Sequence, residues 1–251
     1  EIIAEDFFDL PLPPAIEKLR DRGVVVIPHG IGLSLGSAEP PCPLRLKSLA
    51  NLARRVHAPL VSEHLAFVRA GGIESGHLLP LPRTREAVEV VVANIRIAMD
   101  YLEMPLALEN ITTMFQWPGA DMEEADFLNE ILDRSGARLL LDVENLHANA
   151  ENHGGDARAL VDRLPLERIA YVHVAGGVGR DGLYHDTHTQ PTPSPVLDLL
   201  EYLGSRAEVP GTLLERDGNF PCEEDLHAEL DAIADAVKRG QHHRSGIAVP
   251  G

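Results

Sequence analysis

The sequence predicts an α/β fold, a (β/α)8 barrel of the TIM type, and three observations predict it. Short β-rich apolar runs alternate with longer stretches of helical pattern, as in βαβ units that build a parallel sheet. The chain has 251 residues, close to the roughly 250 over which such a barrel is usually one domain. Every apolar run also ends in a polar residue of a metal-ligating type, and parallel barrels gather their strand C-termini on one face.

Seven runs are expected as strands: residues 1–5 (EIIAE), 24–29 (VVVIPH), 59–64 (PLVSEH), 105–110 (PLALEN), 138–145 (RLLLDVEN), 169–176 (IAYVHVAG) and 212–217 (TLLERD). They are continuously apolar rather than alternating, which is expected where both faces of a strand are covered. Helical patterns fall at 84–102, 123–134, 157–164, 195–205 and 223–239. Residues 1–240 are read as a single barrel domain and residues 241–251 as a C-terminal tail.

Composition narrows the function. The formal net charge is −17, a surface that repels phosphate backbones, so nucleic acid is not expected as a partner. No apolar run approaches the roughly 20 residues of a membrane span. Two cysteines, Cys42 and Cys222, form neither a spaced metal motif nor a disulfide framework, and a reducing cytoplasmic setting is expected. No signal peptide is visible, although the chain opens on Glu1 rather than methionine. Gly176-Gly177-Val178-Gly179 lacks the spacing of a dinucleotide loop, and no nucleophile elbow is present.

The strand ends carry the chemistry. They offer Glu5, His29, Glu63 with His64, Glu109 with Asn110, Asp142 with Asn145, His173, and Glu215 with Asp217. His188 follows in the pair Asp186-Thr187-His188. Several carboxylates meeting in one mouth would repel one another unless cations neutralised them. Nitrogen and oxygen donors without thiolate point to iron, manganese or zinc. Of the other histidines, His57, His227, His242 and His243 read as surface residues. His77 lies in an expected loop, where packing and substrate contact are equally open, and His185 reads as a turn residue. His147 and His153 follow Asp142 closely enough to support a ligand or meet substrate.

With these residues placed, the sequence resembles the multinuclear non-heme iron-dependent oxidative enzymes, a family that includes methanobactin-maturation oxidases. The resemblance rests on His29-Gly30-Ile31-Gly32-Leu33-Ser34-Leu35-Gly36-Ser37, Ser62-Glu63-His64-Leu65, Leu108-Glu109-Asn110 and Leu140-Leu141-Asp142-Val143-Glu144-Asn145. It continues through His173-Val174-Ala175-Gly176, Asp186-Thr187-His188 and Glu215-Arg216-Asp217. It implies a barrel like that of xylose isomerase and endonuclease IV, with one more strand ahead of residue 1. It also implies two or three irons that use dioxygen to modify a residue, such as cysteine, of a ribosomally made precursor peptide.

By the same resemblance, His29, His64 and Glu109 hold one iron. Glu109 bridges to a second held by Asp142, His173 and Glu215, and Asn145, Asp186 and His188 complete a more labile third. His29, Glu109, Asp142, His173 and Glu215 thus surround the reacting pair. A small peptide-recognition protein is implied as partner, docked near the loops after Ala66 and Gly177. Three positions depart from the family pattern: Glu144 where asparagine is frequent, His147 where tyrosine is frequent, and Gly177 where histidine is frequent. Two other readings use the same ligands: a divalent-metal sugar isomerase or hydrolase, and a non-catalytic metal- or peptide-binding protein.

Overall fold

The computed structural model describes residues 1–8 and 10–246. The chain divides into two compact units, one comprising Glu1–Glu109 with Trp117–Leu139 and the other Asn110–Gln116 with Leu140–Gly251.

In the first unit, β1 (Ile2–Ile3), α1 (Pro14–Asp21), β2 (Pro28–Gly30), α2 (Pro43–Val56) and β3 (Val61–His64) follow in order. A hairpin, β4 (Phe67–Ala70) and β5 (Ile73–Leu79), precedes α3 (Arg85–Tyr101), β6 (Leu106–Glu109) and α4 (Glu124–Ser135). Strands β1, β2, β3 and β6 are parallel neighbours in that order, in a register that pairs His29 with Ser62 and His64 with Glu109. Val61, Leu106 and Ala107 are wholly buried, as strands covered on both faces require. Helix α2 packs Leu46, Leu49, Leu52 and Ala53 inward, and α3 packs Val88, Val91 and Ile95. Thr84 caps α3 by accepting the Ala87 N–H at 3.2 Å, and Gly136 ends α4 at φ 76°.

The second unit opens within β7 (Arg138–Asp142) and continues through α5 (Val143–His153), α6 (Ala157–Val161), β8 (Ile169–Val174) and the hairpin β9 (Val178–Arg180)–β10 (Leu183–His185). It closes with α7 (Ser194–Arg206), β11 (Thr212–Leu214) and α8 (Glu223–Ser245). Strands β7, β8 and β11 are neighbours in that order, with β8 and β11 parallel. Helices α7 and α8 approach closely at two glycines: a Cβ on Gly240 would lie 2.8 Å from Gly204 Cα and closer still to the Glu201 carbonyl oxygen.

Several expectations shift. The run at 24–29 gives a strand only at Pro28–Gly30, because the Val24 N–H bonds Leu19 O at 3.0 Å and closes the turn after α1. The run at 138–145 breaks at Asp142, whose carboxylate caps a helix the sequence reading did not assign. Helices α1 and α2, each begun by proline at the first helical position, were likewise unassigned. The final helix runs to Ser245, five residues into the stretch assigned to the tail; residues 247–251 lie outside the described residues. The two hairpins turn at Gly71-Gly72 (φ 59° and 75°) and Asp181-Gly182 (φ 54° and 79°), two-residue turns of the left-handed kind that hairpins favour. His77, expected in a loop, therefore lies in β5. Among the described residues, no helix is long and apolar enough to cross a membrane.

Candidate metal centre

In the first unit, β2, β3 and β6 each deliver one side chain to the same place. His29, His64 and Glu109 bring a ligand atom apiece within 4.8 Å of one another. His29 Nε2 is 3.4 Å from His64 Nε2 and 3.3 Å from Glu109 Oε2, and His64 Nε2 is 3.5 Å from the same oxygen. Ligands bound at about 2.1 Å around a tetrahedral ion are separated by roughly 3.4 Å, so the three atoms are spaced as donors to one cation. The other ring nitrogens are engaged: His29 Nδ1 lies 2.9 Å from Ser62 Oγ, and His64 Nδ1 lies 3.1 Å from the Gly30 carbonyl. For His64 that contact puts the proton on Nδ1 and leaves the Nε2 lone pair for a metal.

Glu63, between these ligands in sequence, has another task. It is buried and accepts the backbone N–H of Leu33 at 2.9 Å and of His64 at 3.0 Å. Burial pushes its carboxyl up to about 7, against the lowering pull of His64. A Cβ at position 30 would lie 2.6 Å from Glu63 Oε2, so Gly30 is required for that carboxylate to reach its donors. Glu5 works alike, receiving the Ile31 N–H at 3.2 Å. These strand-end acids hold the loop after β2 rather than join the ligand group.

In the second unit, Asp142, His173 and Glu215 also bring ligand atoms within 4.8 Å of one another. His173 is fully buried, with Nδ1 3.2 Å from Glu215 Oε2. Asp142 Oδ1 accepts the Asn145 N–H at 2.7 Å, so the helix cap fixes the carboxylate that ends β7. A third group is Glu144, Asp186 and His188. Asp186 Oδ1, His188 Nε2 and Glu215 Oε2 are each buried without a hydrogen-bond partner. His188 Nε2 is nevertheless 2.5 Å from Asp186 Oδ1 and 3.6 Å from Glu215 Oε2. Desolvation lowers the basicity of His188, but Asp186, Glu215 and Asp142 outweigh it and raise its pKa to about 10. Crowded this closely, the group is held together by the proton on His188, and a cation in that proton's place would satisfy the same donor atoms. The residues fit metal.

The sequence-named histidines and carboxylates thus gather into local groups. The Asn145 amide donates to Asn110 O at 3.0 Å and its oxygen receives the Thr112 hydroxyl, so both ends are engaged within the protein. Glu144 stands with Asp186 and His188. The sequence reading marks that position as a departure but does not place it with this group. Asn110 pairs with the Asp142 backbone through both its amide groups, and Asp217 Oδ2 holds His188 Nδ1 at 3.0 Å. His153 is tied to Thr113, whereas His147 stacks edge-on against Tyr184 at 5.2 Å.

A family model described as RiPP precursor modification enzyme MbnB/TglH/ChrH matches residues 1–238. A UPF0276 protein of Streptomyces avermitilis is 50% identical over 246 residues, which are 95% of this chain and 50% of that protein. The chain therefore spans about half the length of that relative. Among solved structures, endonuclease IV from Thermus thermophilus aligns with a TM-score of 0.56 at 18% identity, over 91% of this chain and 84% of that one. A xylose isomerase domain protein from Planctomyces limnophilus aligns with a TM-score of 0.51 at 15% identity, over 93% and 83%. The likeness to these structures shows the fold, an α/β TIM barrel of the xylose isomerase type, as the sequence predicted.

Proposed function

We propose, from the premise that this chain belongs to the RiPP precursor modification enzyme family MbnB/TglH/ChrH, that it is a multinuclear non-heme iron enzyme. It uses dioxygen to oxidise one residue, cysteine foremost, of a ribosomally made precursor peptide in the cytoplasm. The observation that carries the reading is the His29–His64–Glu109 group, two imidazoles and a carboxylate converging from adjacent parallel strands. Oxygen and imidazole donors without thiolate suit ferrous iron.

His29, His64 and Glu109 would hold one ion, Asp142, His173 and Glu215 a second, and Asp186 and His188 a third. The bridge of Glu109 and the ligation by Asn145 rest on the resemblance alone. When bound, the irons supply electrons to dioxygen and open positions for a substrate heteroatom. The chain's own contribution is orientation. Ser62 and the Gly30 carbonyl hold the two imidazoles of the first group by their remaining nitrogens. The cap at α5 fixes Asp142, and burial of His29, Glu109, Asp142 and His173 keeps bulk water from the donor atoms.

The hairpins after Ala66 and Gly177 are the places where a small peptide-recognition protein would dock, raising the effective concentration of a flexible peptide. The −17 formal charge suits a basic peptide or partner and makes encounter salt-sensitive. The test is anaerobic loading with ferrous iron, addition of a precursor peptide encoded beside the gene, then air, with mass spectrometry of the peptide. A mass change that needs both iron and dioxygen and vanishes in His64→Ala is expected. Modification by metal-free protein, or none with any neighbouring peptide with or without its partner, refutes the proposal.

A further inference from the structure

Glu144 and Gly177 meet in space. Glu144 is the second residue of α5, two residues beyond the cap at Asp142. It is wholly buried, and its carboxylate oxygens lack a well-formed hydrogen bond, with only Asp186 and the Tyr184 hydroxyl beside them. Buried acceptors are almost always satisfied, so a carboxylate with both oxygens poorly met signals a missing electropositive partner. Glu144 presents an oxygen within 4.8 Å of ligand atoms on Asp186 and His188. The His188 ring is fixed from behind by Asp217 at Nδ1, so Nε2 is its available donor.

The space for Glu144 comes from Gly177. A Cβ there would lie 2.7 Å from Glu144 Oε1, 2.7 Å from Tyr184 Cε1 and closer still to the His185 carbonyl oxygen. No side chain fits without moving the hairpin backbone. The Tyr184 hydroxyl accepts the Gly177 N–H at 3.0 Å, and the Tyr184 N–H is held by Asn152 at 2.6 Å. The wall beside Glu144 is therefore built and not merely open. Its sequence neighbour Asn145 is spent on Asn110 and Thr112.

We propose that Glu144 is a metal ligand in this chain: with Asp186 and His188 it forms a site for a divalent first-row transition ion, and Gly177 is the residue that admits it. The proposal rests on the reading of the chain as a metalloenzyme and names a ligand that reading leaves out. Two carboxylates and one neutral imidazole balance a divalent charge, which an amide in place of Glu144 would leave half compensated. Asp142 and Glu215, close by, also face this group.

The experiment is titration of chelated protein with manganese(II), followed by elemental analysis of the gel-filtered product, for wild type, E144Q, D186N and the double variant. E144Q and D186N should each lose the same single ion, its binding weakened on the order of 100-fold, and the double variant should lose no more. The metal-free melting temperature of E144Q should not fall, since the change removes an acid buried beside Asp142 and Asp186. An unchanged ion count and affinity in E144Q, with one ion lost in D186N, overturns the role of Glu144 and leaves the metalloenzyme reading standing. A lowered metal-free melting temperature with full metal binding in E144Q makes Glu144 structural and overturns it too. No ion bound by wild type brings down the reading beneath it.

Discussion

Replacing Ser62 by alanine should weaken metal binding at the first group far more than it weakens the fold. Ser62 is fully buried on β3, and its hydroxyl is 2.9 Å from His29 Nδ1. The substitution keeps Cβ and removes one oxygen, so little cavity forms, and the lost hydrogen bond costs about 1 kcal/mol. In a chain of this size that is a melting shift of roughly 2–4 °C. The effect on metal is larger because the hydroxyl sets the orientation of the His29 ring. Loss of such an outer partner weakens affinity by roughly 10–100-fold, about 1.4–2.8 kcal/mol. The assay is manganese(II) titration of chelated protein, with melting followed in parallel without metal.

Asn94→Ala serves as the comparison. Asn94 donates to the carbonyls of Leu35 at 3.0 Å and Ser37 at 2.7 Å, bracing the long loop after β2 rather than a ligand. It should lower the melting temperature at least as much as Ser62→Ala while leaving affinity within about twofold, as a change confined to stability does. If Ser62→Ala also left affinity unchanged, the positioning argument would be wrong.

Other outcomes follow from the same geometry. Glu109→Gln should reduce bound metal and abolish peptide modification, whereas His188→Ala should empty mainly one ion; full metal and turnover in Glu109→Gln would contradict its placement. Removing metal with a chelator should lower the melting temperature, since ions bound only by the native state stabilise it by mass action. The metal-free protein should also lose stability as pH rises. Burial raises Glu63 to about 7 and Glu144 to about 10, so each is destabilising increasingly above the unfolded value of 4.5. His188, raised from 6.5 to about 10, stabilises fully below 6.5 and loses that contribution as pH climbs. All three act in one direction, so a metal-free melting temperature that rose between about pH 5 and 9 would refute the assignment. Gly240→Ala should destabilise by about 1–3 kcal/mol, because its Cβ meets backbone across the α7–α8 contact; denaturant unfolding measures it.

The strands that carry ligands were legible because their burial on both faces writes itself as uninterrupted apolar sequence, as in Leu139-Leu140-Leu141 before Asp142. Helices α3, α4 and α7 were legible through their apolar periodicity. Helix α5 was not: its residues are Asn- and His-rich because its first turn faces ligands, so chemistry overrode propensity. The hairpin turns Gly71-Gly72 and Asp181-Gly182 stand in the sequence as turn residues, but an antiparallel pair set inside a βα alternation leaves no periodic mark of its own. Strand-end position alone did not separate Glu63 and Glu5, which accept backbone N–H groups, from Glu109 and Glu215, which stand among imidazoles. That distinction depends on side-chain direction, which only the folded backbone supplies.

Both hairpins follow closely upon a strand that carries a candidate ligand: β4–β5 comes after His64, and β9–β10 after His173. Each has its own turn and joins a buried strand within a few residues, and β4 is tied to the loop after β2 through the Val68 and Arg69 N–H groups, which donate to Ser34 Oγ. Strand β5 is exposed over most of its length, so its outward side chains can change without disturbing the strand that holds His64. In the second hairpin both strands are held at the inner end, because Tyr184 and Gly177 are pinned together. The candidate ligands thus lie on one set of segments, and the exposed face of β5 on another. Exchanging β4–β5 between relatives would be the economical way to retarget such a protein, while exchanging β9–β10 would carry part of the reactive apparatus with it.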